Sequence, residues 1–297
     1  MVILPAVFGS ILTAAVTPFD ADLRVDEPAA AAVFRYLLAN GSDGIVVAGT
    51  TGEASTLTDE EKLALLRIAL HEAGDAPVIA GTGSNDTAHS VHLTRAAAEL
   101  GAAAALVVTP YYNRPPRAGI VAHVAAIAEV GLPVILYNIP GRTTVNMPPD
   151  LLRELAQIPN VAAVKQANPD LDETRTVIDT VPLPVYAGND DMFLPVLEMG
   201  GVGVISVASH VVGPQMRAVH QAMARGDQAE ARRLDSALAD IYAGLFVTTN
   251  PILIKAALAM TGVIPSDRLR LPLVEATPVQ RDILRTVLER QVTFSRA

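Results

Sequence analysis

Cysteine is absent from the 297 residues. That excludes a disulfide scaffold, thiolate metal sites and thiol catalysis, while leaving the redox compartment open. Lysine and arginine form no cluster, and 22 basic side chains face 31 acidic ones for a formal net charge of -9, so nothing suggests a nucleic-acid surface. Met1-Val2-Ile3-Leu4-Pro5 lacks the basic n-region and cleavage site of a secretory signal, and no apolar run reaches bilayer length. A cytoplasmic protein without membrane contact is the expectation. Low-complexity linkers and an HExxH motif are also missing.

What the chain does have is a 51% hydrophobic composition, ample for a large core. Short Val/Ile/Ala runs bounded by Gly or Pro recur at intervals of roughly 20 to 35 residues, a spacing that suits repeated βα units. Ile11 to Thr17, Ile45 to Gly49, Val78 to Gly81, Leu106 to Thr109, Val134 to Asn138, Val161 to Lys165, Val185 to Gly188 and Val204 to Val207 make the set of eight strands that a (β/α)8 TIM barrel needs. Their lack of polar alternation fits a parallel sheet covered on both faces, with a doubly wound sheet as the alternative. Helical patterns lie between them: one opens at Thr58 or Asp59 with Leu63, Leu66 and Leu70 at helical spacing, and others run from Asp86 to Leu100 and Pro149 to Gln157. After the eighth strand, Gln215 to Val247 and Ile252 to Met260 read as helices. With a break at Arg225-Gly226-Asp227, residues 1–226 are expected to form the barrel and 227–297 a C-terminal helical domain packed on it.

Lys165 is the most unusual residue, a lone amine in the apolar run Val161-Ala162-Ala163-Val164-Lys165-Gln166-Ala167 with no acid beside it. An enclosed ammonium finds a counter-charge or loses its proton, and a neutral amine is a nucleophile suited to Schiff-base chemistry. A lysine at a surface edge, or one paired to a distant carboxylate, is the competing reading. If the barrel is right, function belongs at the carboxyl ends of the strands. Gly49-Thr50-Thr51-Gly52-Glu53 ends the second strand as either a nest for a carboxylate or an ordinary turn. The fourth strand runs into Tyr111-Tyr112, candidates for the site or for packing under a loop. Tyr137 near the end of the fifth strand is placed like a proton relay, and Arg142 in the following loop could clamp a carboxylate or form a surface salt bridge. Asp190-Asp191 could suggest a metal but caps a helix equally well, and no metal site is assigned. Gly81-Thr82-Gly83 lacks the third glycine of a dinucleotide fingerprint.

Gly49-Thr50-Thr51-Gly52-Glu53, Thr109-Pro110-Tyr111-Tyr112-Asn113, Tyr137-Asn138 with Gly141-Arg142-Thr143, and Lys165 in a strand, in this order, closely resemble the dihydrodipicolinate synthase/N-acetylneuraminate lyase family over nearly the whole chain. The Tyr-Asn-x-Pro-x-Arg-Thr pattern looks like that of the dihydrodipicolinate synthase branch. The resemblance implies a cofactor-free class I aldolase of lysine and diaminopimelate synthesis, joining pyruvate, held as an imine of Lys165, to L-aspartate 4-semialdehyde. It gives Tyr137, Thr50 and Tyr112 the role of a hydroxyl relay, with Tyr112 lent across a subunit interface of a homotetramer. Thr51 would hold pyruvate's carboxylate, Arg142 would orient the second substrate, and Ile205 and Gly188 would wall the site through their backbone. Asn85 and Tyr111 match contacts of an allosteric cleft for lysine, but His89 stands where inhibited relatives carry an acid, and Asp59 and Lys62 replace two histidines of some relatives, so weak or absent lysine inhibition is expected. Gln166 also replaces an acid of many relatives and is expected to face away from Lys165. Another aldolase of the same family and a catalytically silent binding barrel are the alternatives.

Overall fold

A computed structural model of the chain describes residues 6–295. Met1 to Pro5, where the absence of a secretory signal was read, lie outside the described residues. Eight parallel strands close a barrel in sequence order: β1 (Ile11–Ala14), β2 (Gly44–Val47), β3 (Val78–Gly81), β4 (Ala104–Val108), β5 (Val134–Asn138), β6 (Val161–Gln166), β7 (Val185–Ala187) and β8 (Gly203–Ser206), the last pairing with the first. The fold is therefore the (β/α)8 barrel, not the doubly wound sheet. Period-two alternation sorts the side chains. Leu12, Val46, Ile79, Leu106, Ile135, Ala163, Tyr186 and Ile205 fill the barrel interior, whereas Ile45, Val47, Val134, Leu136 and Val164 pack outward against the helices. Both faces are dry, hence the unbroken apolar strands.

Several strands end short of their expected limits, and the difference falls where the loops begin. β1 stops at Ala14 because Val16 N–H turns to His210 Nε2 (3.2 Å) and the Thr17 hydroxyl to Gly52 O (2.7 Å). β2 stops at Val47 because Ala48 has φ 51°, which turns the chain out of the ladder. Thr58 caps the helix Asp59–Ala73 through a reciprocal capping box with Glu61. Asp86 accepts His89 N–H to start Thr87–Leu100, and the helix expected to reach Gln157 spans Pro149–Leu155.

Beyond β8 the long helical stretch resolves into Ser209–Ala224, Gln228–Ser236 and Ala239–Leu245, with Asp227 capping the second. Ile252–Met260 follows, and then Pro278–Ser295, a helix with no counterpart in the sequence-based reading. One hydrophobic cluster contains Val219 and Ala222 before the break at 226 and Ala231, Leu253, Leu258 and Leu284 after it. The terminal helices thus share the core of the barrel's outer layer. Among the described residues no helix is long and apolar enough to cross a membrane.

Candidate active site

Lys165 on β6 and Tyr137 on β5 are partners in register, both pointing into the barrel near the carboxyl ends of their strands. Lys165 is 6% exposed, and its Nζ lies 4.2 Å from the centroid of the Tyr137 ring. Among the described residues it forms no ion pair; the two lysines that do are Lys62 and Lys255. Burial pulls its pKa from 10.5 down to about 7, Asp190 pushing the other way and Arg142 adding to the fall. The sequence shows no acid beside Lys165, but the fold brings one near: Asp190, after β7, is buried at 2% exposure. Its carboxylate accepts from Ser206 Oγ and from the Ala208 N–H at 2.9 Å, tying the end of β8 to the end of β7. Burial raises its pKa against those bonds. Asp190 therefore braces a strand end, not the next helix, and among the described residues no three or more His, Cys, Asp or Glu side chains converge as a ligand set.

Tyr137, 6% exposed, hydrogen-bonds Thr50, and burial pushes its phenol up to about 12 despite the opposing effects of Arg142 and Thr50. It stays protonated at neutral pH and can lend or return a proton. Thr51 is buried, and its Oγ1 accepts a 2.9 Å hydrogen bond from Asn250 Nδ2. Arg142 lies on the short helix Pro140–Thr143, and its Nη2 donates weakly to Asn250 O at 3.4 Å and Thr249 Oγ1 at 3.5 Å. It pairs with no acid among the described residues, so its charge is available to an anion. These groups surround a cavity of about 50 Å³, walled also by Gly188, where an added Cβ would meet Ala167 Cβ at 2.5 Å. So small a chamber, with an amine, hydroxyls and a phenol, suits a compact oxo acid.

Two expected residues have their side chains outside this cavity. Ile205 is packed in the barrel interior, and the residue of that chain segment lining the cavity is Val207. Tyr112 is 90% exposed with φ 73° and does not reach Thr50 within the chain. Gln166 turns outward and accepts from Asn138 Nδ2 at 2.9 Å. A second cavity of about 580 Å³ shares Thr50, Tyr137 and Arg142 with the first and extends to Tyr111, Asn85 and His89. There His89 Nε2 sits 2.9 Å from Asp59, with Lys62 Nζ 3.4 Å from the same carboxylate. Partial burial of Asp59 is outweighed by these two partners, which lower its pKa. Sequence reasoning missed Asn250, whose only signal was the helix break before Pro251, and Asp190 as a neighbour of Lys165.

The description "Dihydrodipicolinate synthetase family" belongs to a family model that matches residues 7–291. A 4-hydroxy-tetrahydrodipicolinate synthase of Symbiobacterium thermophilum is 48% identical over 286 residues, 95% of this chain and 97% of that protein. Among solved structures, a dihydrodipicolinate synthase from Cyanidioschyzon merolae with lysine bound superposes with a TM-score of 0.93 at 40% identity, covering 95% of this chain and 98% of that one. The chloride-inhibited dihydrodipicolinate synthase of Acinetobacter baumannii, complexed with pyruvate, gives a TM-score of 0.92 at 38% identity over 95% and 98% of the two chains.

Proposed function

The chain belongs to the dihydrodipicolinate synthetase family, and from that premise we propose that it carries out the 4-hydroxy-tetrahydrodipicolinate synthase reaction, joining pyruvate to L-aspartate 4-semialdehyde. The observation that carries the reading is the enclosed, unpaired Lys165 amine, held near neutrality beside a protonated Tyr137. Its lone pair attacks the pyruvate ketone, and water leaves to give an imine on Nζ. Loss of a C3 proton then yields an enamine. Thr50 and Tyr137 supply and recover the protons that dehydration and tautomerisation require. Thr51 receives the pyruvate carboxylate, and Arg142 aligns the semialdehyde through its carboxylate, so that the enamine carbon meets the aldehyde carbon. The new C–C bond leaves a hydroxyl where the aldehyde oxygen was. The substrate's own amine closes the ring on the imine carbon and expels the Lys165 amine. No step transfers electrons to or from an outside acceptor, so the scheme calls for no redox cofactor.

The 90% exposure of Tyr112 and its positive φ support the reading that this phenol completes the relay of a neighbouring subunit in a homotetramer. We place the enzyme in the cytoplasm, working in lysine and diaminopimelate synthesis, and treat residues 227–297 as an appendix to the barrel. Borohydride reduction in the presence of pyruvate should leave a stable adduct on Lys165, located by peptide mass spectrometry. A coupled assay should then show turnover with aspartate semialdehyde and none with N-acetylneuraminate or 2-keto-3-deoxygluconate. No adduct would indicate a silent barrel, and turnover of a sugar acid alone would indicate another aldolase.

A further inference from the structure

Lys165 is not the only enclosed lysine. Lys255 is 0% exposed in the apolar helix Ile252–Met260, its Nζ 2.7 Å from Glu53 Oε1 and 4.2 Å from the Phe19 ring centroid. Glu53 is 2% exposed, and its other oxygen accepts the Arg270 N–H at 3.1 Å. Arg270 in turn covers the same Phe19 ring at 4.6 Å and forks onto Glu61. Glu53 and Lys255 line neither cavity described above, and no step at Lys165 uses them. A buried ion pair is a poor source of net stability, because desolvation offsets most of the attraction. Its chemistry asks for another role.

What the pair holds is a turn. Glu53 has φ 55°, in the left-handed region that L residues enter reluctantly, and its N–H donates to Thr50 O at 3.1 Å. The hydroxyls of Thr50 and Thr51 hang from that turn. The C-terminal segment grips it at three points: Asn250 Nδ2 binds Thr51 Oγ1, Lys255 Nζ binds one oxygen of Glu53, and the Arg270 N–H binds the other. Lys255 N–H donates to Pro251 O at 3.1 Å, so the first two grips belong to the start of one helix. A grip at Thr51 alone would leave the turn free to swivel; adding the grip at Glu53 fixes its orientation.

We propose that Glu53 and Lys255 are positioning residues for the reaction at Lys165. Their ion pair fixes the turn so that Thr50 reaches Tyr137 and Thr51 faces the place of the pyruvate carboxylate. The inference rests on the Schiff-base reading above, and wild-type labelling by pyruvate and borohydride tests that reading first, separately. If the wild type labels, two variants follow, each checked by circular dichroism: Glu53→Gln with Lys255→Met, which removes both charges together, and Glu53→Asp, which keeps the charge but shortens its reach. A misplacement of the order of 1 Å lowers rates by up to about a hundredfold. The folded variants should therefore show kcat reduced roughly tenfold or more, slower imine trapping and a raised pyruvate KM, with the semialdehyde KM within about twofold of wild type. A merely structural pair would lower thermal stability and leave kcat per folded site and the trapping rate unchanged. That result, or failure of both variants to fold, overturns the proposal.

Discussion

Replacing Lys165 with methionine should abolish imine formation and stabilise the fold, and the size of the gain follows from the pKa. The amine titrates at about 7 in the folded protein against 10.5 when unperturbed. Below pH 7 both states are protonated, and the folded state bears the full cost of enclosing the charge. Between pH 7 and 10.5 the unfolded chain binds more protons than the folded one, so wild-type stability rises with pH across that window. Integrating the two titrations puts the cost of Lys165 at about 5 kcal/mol at pH 6, about 4 at pH 7 and about 2 at pH 9. Methionine has nearly the length of lysine and no charge, so Lys165→Met should recover most of it. Urea unfolding of both proteins at several pH values reads the difference directly. The gap should narrow by about 3 kcal/mol from pH 6 to pH 9. A variant no more stable than wild type at pH 6, or two curves that run parallel with pH, would refute a desolvated amine at this position.

Arg142→Ala should lower kcat/KM for the semialdehyde by roughly 10- to 100-fold, while pyruvate and borohydride still label Lys165; an equal loss of labelling would contradict its role toward the second substrate. Tyr137→Phe removes the proton donor beside the amine and should slow turnover by about 10²- to 10⁴-fold in steady-state assays, with the fold retained by circular dichroism. Asn250→Ala deprives the Thr51 hydroxyl of its donor and should raise the pyruvate KM about five- to tenfold, an effect absent if Thr51 does not meet the carboxylate. Lysine should inhibit weakly or not at all, because Asp59 in the larger cavity is already engaged by His89 and Lys62; half inhibition below millimolar lysine in the coupled assay would contradict this.

The two enclosed lysines show what a sequence can and cannot display. Lys165 and Lys255 both stand in apolar runs, so composition marks each as a problem to be solved, yet the solutions differ. Lys255 meets a carboxylate 202 positions earlier in the chain, whereas Lys165 meets none within ion-pair distance and burial lowers its pKa to about 7. Spacing along the chain has no means of choosing between those fates. The eight strands were legible because burial on both faces demands unbroken apolar runs, and their ends were not, since β1 stops where His210 and Gly52 take over the bonds of Val16 and Thr17, and β2 where the positive φ of Ala48 turns the chain away. Tyr137 and Arg142 could be placed from strand position alone. Asn250 could not, because its contact with Thr51 depends on how the last helices fold back.

The grip of the C-terminal segment on the Thr50–Thr51 turn also sets an order in time. Glu53 emerges from the ribosome 202 residues before Lys255, and Thr51 precedes Asn250 by 199. At about 5 to 20 residues per second, that leaves an interval of roughly 10 to 40 s. During it the growing chain acquires Tyr137 and then Lys165, but its second strand ends in a turn whose acid has no cation and whose threonine has no amide. A nascent barrel is in this sense a catalyst with its reactive amine in place and its supporting hydroxyls unmoored. On this reading, full activity arrives only with the last fifth of the polypeptide.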